Sequence, residues 1–423
     1  MMSEPVRLSR RKVLRYAAGI GAVALAARDV MAAEEAGVAL PPAGETITPF
    51  RVNVPQRAID DLQRRLRDVR WPEKETVDDG SQGVPLVKAR ALAEHWRQRY
   101  DWRAFERRLN AYPQFRTRID GLGIHFLHVR SAHANALPII LTHGWPGSVV
   151  EFLKAIGPLT EPTAHGARAS DAFHVVVPSL PGFGFSDKPA SGGWHSGRVA
   201  DAWGVLMQRL GYTRWVAQGG DWGAGVTNSM ALRRPAGLTA IHLNLPIAVP
   251  AAFPARPTRE EKAAMEALGR FNSDGNAYFL MQATRPQTIG YGLADSPIAQ
   301  ATWMYEKLQA WTDNPGDVEK VLSRDEILDD ISLYWFTNTG ASSARIYREN
   351  MLGGFGWNQG VVNFPVGLSI FPREIYKCPR TWADAVYPKL IHWNELDRGG
   401  HFAAFEQPTL FVNELRAAFR SVR

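Results

Sequence analysis

From residue 137 to residue 246, short apolar runs alternate with segments of helical spacing. "LPIILTHGW" (137–145) and "FHVVVPSLPGFGFSD" (173–187) are apolar runs bounded by Gly and Pro, and "WVAQ" (215–218) and "AIHLNLP" (240–246) repeat the pattern. Runs this short, with little polar alternation, suit strands covered on both faces, as in a parallel sheet. "PKLIHWNE" (388–395) supplies one more run, and a helical pattern from Thr409 to Phe419 ends the chain. The alternation predicts an α/β, doubly wound, mostly parallel sheet.

Upstream, "VPQRAIDDLQRRLRDVRWP" places Ile59, Leu62, Leu66 and Val69 on one face of a helix that starts at Pro55 and ends before Pro72; its arginines read most simply as a solvated face. A second helix is predicted from about Leu86 to Leu109, followed by two β-rich runs around the turn signal Asp120-Gly121. From about Pro250 to Gly354 the alternation gives way to aromatic-rich helical segments such as "TWMYEKLQAWTD" and "ISLYWFTNT". That stretch is expected to be a helical cap over the carboxyl edge of the sheet, where α/β proteins bind ligands.

The first 33 residues read as an export signal. Paired arginines in "SRRKVLR" precede an apolar segment from Tyr16 to Ala27, then small residues at Val30 and Ala32. The apolar segment is too short for a spanning helix, which needs about 20 residues. It resembles a twin-arginine signal, which implies transport by the twin-arginine export machinery, a periplasmic or secreted mature protein and no stable membrane anchor. The net charge of +7 is largely this segment's: residues 1–32 hold six basic and two acidic residues, leaving +3 without them. No Lys/Arg cluster interleaves with aromatics, so nucleic acid is a poor candidate partner. Cys378 is the only cysteine, which excludes an internal disulfide and is expected to be a buried, inert thiol.

Three motifs carry candidate chemistry. "VAQGGDWGAG" (216–225) leads from a strand into a helix closed by Pro235, the layout of a nucleophile elbow with Asp221 at the usual serine position. "HGWPGS" (143–148) follows the strand "IILT", where the backbone N–H of Trp145 can point at an oxyanion; the N–H of Trp222, next to Asp221, is the second donor. "RGGHFAAFEQP" puts His401 on a glycine-rich loop after the last strand, and the order nucleophile, acid, histidine is that of α/β-hydrolases. Spacing leaves the acid open among Glu374, Asp384, Glu395 and Asp397.

The elbow "GGDWG", the "HGWPGS" turn, "PSLPGFGFSDKP", "RGGHFAAFEQP" and the N-terminal "VPQRAIDDLQRRLRDVRWPE" together resemble the microsomal-type epoxide hydrolases, from about residue 47 to the end. The resemblance departs at the start, where mammalian members carry a membrane-anchoring helix. It implies an α/β-hydrolase fold divided into a signal (1–33), a linker (34–46), an N-terminal epoxide hydrolase domain (47–115), core (116–249), cap (250–354) and core (355–423). It further implies Glu374 as the acid that orients His401, and Tyr278 and Tyr347 as the cap tyrosines that hold the epoxide oxygen.

An aspartate elbow fits that chemistry. A serine attacking an epoxide would form an ether that cannot be hydrolysed in the site, whereas an aspartate forms an ester that water can cleave. The expected reaction is epoxide plus water to a vicinal diol, with no metal or organic cofactor. Trp303, Tyr305, Trp311, Trp335 and Phe336 in the cap hint at an apolar substrate, although core packing would explain them equally. Two other readings remain: a haloalkane dehalogenase, which shares the aspartate and histidine, and a non-catalytic exported binding protein on the same scaffold.

Overall fold

The apolar runs pair edge to edge, as strands without a polar face must if their backbone groups are to be satisfied away from water. The computed structural model describes residues 40, 43–352 and 360–423. Its strands are β1 (Thr48–Phe50), β2 (Gln114–Ile119), β3 (Leu122–Val129), β4 (Leu137–Thr142), β5 (Phe173–Pro178), β6 (Trp215–Gly219), β7 (Leu238–Leu243), β8 (Val366–Ile370) and β9 (Leu390–Glu395). They form one sheet in the order β1-β2-β3-β5-β4-β6-β7-β8-β9. From β5 to β9 all neighbours are parallel, and β1, β2 and β3 add an antiparallel edge. Every residue of β5, β6 and β8 is buried, as strands covered by helices on both faces require. This is the α/β-hydrolase fold.

The chain runs from β4 outward to β5 and then crosses back to place β6 on the other side of β4. The carboxyl ends of β4 and β6 therefore flank a topological switch point, the usual place for a ligand crevice.

Two strands were not legible. β1 lies in what reads as loose linker, and its three residues pair with β2, Thr48 opposite Arg116. β8, "VGLSI", is too short and too broken by glycine and serine to stand out. The helix expected over Leu86–Leu109 is two helices, Leu86–Gln98 and Trp102–Leu109. The break comes at Tyr100 and an extended Asp101, where the Tyr100 hydroxyl turns to Asp329 at 3.0 Å. The first helix spans Gln56–Arg67, so Val69 lies beyond it; Ala58, Leu62 and Leu66 are its buried face. Its arginines are not all solvated, because Arg65 reaches across to Asp295 (3.0 Å) and over the ring of Trp335.

Helices Arg259–Arg270, Ala277–Thr284, Pro286–Asp295, Pro297–Trp311, Arg324–Thr337 and Gly340–Leu352 make the cap. The N-terminal helices pack on it through Trp96 to Ser332 (2.9 Å), Trp102 against Phe336, and the pairs Lys88–Asp317 and Arg108–Asp329. Cys378 is buried and its thiol is pushed up to about 12. The 1–33 segment and the cap boundary at 354/355 lie outside the described residues. Among the described residues no helix is long and apolar enough to cross a membrane.

Candidate active site

β6 ends at Gly219, and after Gly220 the helix Asp221–Arg233 begins. Asp221 sits at the turn with φ +50°, a left-handed conformation that costs a non-glycine residue about 1 kcal/mol or more and persists only where its surroundings impose it. Close backbone packing imposes it here. A Cβ on Gly223 would lie 1.9 Å from the Thr142 carbonyl oxygen, and one on Gly219 would lie 2.1 Å from that of Gly223. Only glycine permits the helix to start so near β4. Across the turn after β4, a Cβ on Gly144 would lie 2.1 Å from Asp221 Oδ1. That closeness lets the Trp145 N–H donate to Asp221 Oδ1 at 2.8 Å. Trp222 follows Asp221 in the first turn of the helix.

The loops after β8 and β9 meet at a bridge between Arg373 and Gly400, and the residues one step further on are Glu374 and His401. His401 Nδ1 lies 2.5 Å from Glu374 Oε1, and His401 Nε2 lies 3.3 Å from Asp221 Oδ2. Glu374 Oε1 also accepts the Ile375 N–H at 2.8 Å. Of the four acids that spacing left open, Glu374 is the one against the imidazole; Asp384 pairs with Arg380 and Glu395 with Lys377 at the surface. The cap holds the histidine loop too, since the His401 N–H donates to the Trp311 carbonyl at 2.9 Å.

The roof of the site is aromatic. Tyr278, on Ala277–Thr284, stacks on Trp145 with ring centres 5.2 Å apart, and Tyr347, on Gly340–Leu352, stands edge-on to Trp222 at 4.8 Å. The two tyrosines face each other at 5.6 Å and both are buried. The Tyr347 hydroxyl lies beside the Tyr278 hydroxyl and the Trp222 indole without a hydrogen bond of normal geometry to either. Of the five cap aromatics named from sequence, Trp311 alone packs on these residues, against Tyr278 and His401. Trp335 and Phe336 meet the N-terminal helices, Tyr305 bonds Glu319 and Trp303 bonds Gln282.

Burial raises the pKa of both tyrosines well above the phenolic range, and the Asp221 charge adds to it, so both stay protonated donors. For His401, burial favours the neutral ring, but the Glu374 and Asp221 carboxylates outweigh it and lift the imidazole well above its ordinary value.

Two residues here were not singled out from sequence. Lys307 is buried with its ammonium 4.4 Å from the centre of the Tyr278 ring, paired with Glu306. Glu151, in the short turn Val149–Phe152, lines a cavity of about 20 Å³ together with His143, Asn244, Asp221 and His401. Its place inside "HGWPGSVVEF" was the available signal, but a glutamate in a turn is ordinarily solvated. Among the described residues no group of three or more His, Cys, Asp or Glu is arranged to hold a metal.

An α/β-hydrolase with an aspartate at its elbow and a histidine and glutamate behind it is the class that fold and site define. Profiles described as "Epoxide hydrolase N terminus" and "alpha/beta hydrolase fold" match residues 47–152 and 138–314. A Stigmatella aurantiaca protein provisionally named an epoxide hydrolase is 62% identical over 378 residues, covering 89% of this chain and 86% of its own. Epoxide hydrolase 1 of Sus scrofa is 35% identical over 400 residues, 88% of each chain. Among solved structures, juvenile hormone epoxide hydrolase from Bombyx mori superposes with TM-score 0.81 at 30% identity, covering 89% of this chain and 96% of its own. The Aspergillus niger epoxide hydrolase gives 0.78 at 34%, covering 91% and 99%. The chain belongs to the microsomal-type epoxide hydrolases, and its activity is epoxide hydrolysis.

Proposed function

We propose that the enzyme opens an apolar epoxide to a vicinal diol through a covalent ester on Asp221. The observation that carries this reading is the line Glu374, His401, Asp221, with contacts of 2.5 and 3.3 Å, ending on a carboxylate whose other oxygen already takes the Trp145 N–H. In the first step Asp221 Oδ2 attacks an epoxide carbon and the ring C–O bond breaks. The epoxide oxygen takes a proton from Tyr278 or Tyr347, which hydrogen-bond it from above.

The oxygen held by Trp145 becomes the ester carbonyl. In the second step His401, oriented by Glu374, removes a proton from water as the water oxygen bonds to that carbonyl carbon, and the N–H groups of Trp145 and Trp222 stabilise the oxyanion. Collapse breaks the ester C–O bond, the diol oxygen takes the proton from His401, and the proton left over restores the tyrosine. Esterification also removes the Asp221 charge that, with Glu374, lifts His401, so a charged imidazole gives its proton up to solvent more readily once the ester has formed and is then free to act as the base.

The walls of Trp145, Trp222, Tyr278, Phe279 and Trp311 favour an apolar substrate. His401→Gln is expected to accumulate substrate mass on the peptide that contains Asp221, read by mass spectrometry; epoxide consumption with no adduct contradicts the covalent route. For the N-terminal segment the proposal is export of the folded enzyme. Replacing Arg10 and Arg11 with lysine is expected to leave the enzyme in the cytoplasm, and unchanged export contradicts it.

A further inference from the structure

Glu151 is a half-buried residue whose carboxyl the two steps above do not use. Its side chain fills the space over Gly147, where a Cβ would lie 1.4 Å from Glu151 Oε1, so the glycine admits the carboxyl to this position. The turn that carries it is clamped from the cap: Ser148 Oγ donates to Asp330 Oδ1 at 2.5 Å, and the Tyr334 hydroxyl donates to the Gly147 carbonyl at 2.7 Å. Although so placed, the Glu151 carboxyl makes no hydrogen bond or ion pair to another side chain among the described residues. A carboxyl that faces a small cavity and has no partner in the protein is ordinarily met by a bound water.

The space it lines fits one. The cavity of about 20 Å³ has room for about one water molecule and is walled also by Asp221 and His401. A water there has the imidazole and the nucleophile as its other neighbours. We infer that Glu151 is a further catalytic residue, which holds the hydrolytic water by accepting the O–H that His401 does not take. This rests on the covalent reading above.

In the balanced step one water proton goes to His401 and the water oxygen bonds to the Asp221 carbonyl carbon. The second O–H stays on that oxygen, held by a Glu151 oxygen, until the ester C–O bond breaks. Burial first, with the Asp221 charge nearby and against the opposing pull of His401, raises the Glu151 carboxyl well above the usual carboxylate range. A neutral carboxyl still accepts through its carbonyl oxygen, and adds no third negative charge beside Asp221 and Glu374.

The test separates the two steps by stopped-flow tryptophan fluorescence in single turnover, using styrene oxide as the probe. Glu151→Met keeps the length of the side chain without an oxygen, and Glu151→Gln keeps an acceptor. Met is expected to slow ester hydrolysis by about 10-fold or more with ester formation within about 3-fold of wild type, and Gln to hydrolyse within about 5-fold of wild type. Hydrolysis at the wild-type rate in Glu151→Met, or equal slowing of both steps, overturns the role. If Glu151→Met does not fold, Glu151→Asp, which withdraws the oxygen by one methylene, is expected to slow hydrolysis alone, and any other pattern overturns it. Absence of ester in His401→Gln instead overturns the covalent reading, and this one with it.

Discussion

The floor and the roof of the site are built differently. The floor, formed by the elbow and the turn after β4, is largely backbone: Gly219 and Gly223 let main chains approach closely, and Gly144 leaves room for the Asp221 side chain, whose Oδ1 takes the Trp145 N–H. The roof is side chain: Tyr278, Tyr347 and Trp311 come from three cap helices and hold each other by ring contacts. Close backbone packing leaves little room for adjustment, whereas an aromatic roof is only as well placed as the helices that carry it. The floor suits chemistry common to every substrate, and the roof is where a substrate's shape can be met.

Four experiments probe that contrast, beginning with the largest expected effect. Asp221→Ala removes the proposed nucleophile of the floor and is expected to lower kcat by at least about 10⁴-fold, measured as diol formation, with the fold retained by circular dichroism. Joint Tyr278→Phe and Tyr347→Phe substitution is expected to slow ester formation by about 10³-fold and leave ester hydrolysis nearly unchanged. Equal slowing of both steps would show that the roof also serves the floor's half of the reaction.

Gly144→Ala tests the floor's packing, since its methyl would meet Asp221 Oδ1 at 2.1 Å. A loss of about 1–3 kcal/mol in urea unfolding, with activity falling too, is expected; wild-type activity would mean that the turn can yield.

The smallest effect is in pH. His143, in the floor, is held neutral by burial with its pKa lowered to about 4, while Asp330, in the cap, is held protonated by burial with its pKa raised to about 8. The unfolded chain protonates histidine near 6.5, so the stability tied to a neutral His143 is lost as pH falls from about 6.5 toward 4. For Asp330 the sign is reversed: a raised pKa contributes stability that is fully present below about 4 and lost as pH rises through about 8. Asp330→Asn is therefore expected to flatten the decline in melting temperature between pH 5 and pH 8, a difference on the order of 1–3 kcal/mol at pH 8. An unchanged slope would place the alkaline loss elsewhere.

The same contrast explains what could be read from the sequence. Asp221, Trp145 and His401 stand in short motifs because each needs particular neighbours: glycines for close approach, or a glycine-rich loop after a strand. The parallel strands were legible from their length and lack of polar alternation. Tyr278 and Tyr347 stand in ordinary helical sequence, and what matters about them is the meeting of two helices about 70 residues apart in the chain; the family resemblance supplied them. Glu374 needed either that resemblance or the bridge between Arg373 and Gly400, which joins loops from different strands. Glu151 was hidden because a glutamate four residues after Gly147 in a turn reads as solvated, and only the fold shows that the glycine makes room for it. β1 escaped notice because three residues carry no periodicity.

The hydrogen bond from the His401 N–H to the Trp311 carbonyl has a thermodynamic meaning beyond geometry. Together with the Gly399 N–H on Asp313 Oδ2 and the Asp313 N–H on Glu406 Oε2, both at 2.8 Å, it ties the end of a cap helix to the loop bearing the imidazole. Docking of the cap and placement of the imidazole are thus coupled, and the coupling is reciprocal: whatever free energy these bonds give the placed ring, the placed ring returns to the docked cap.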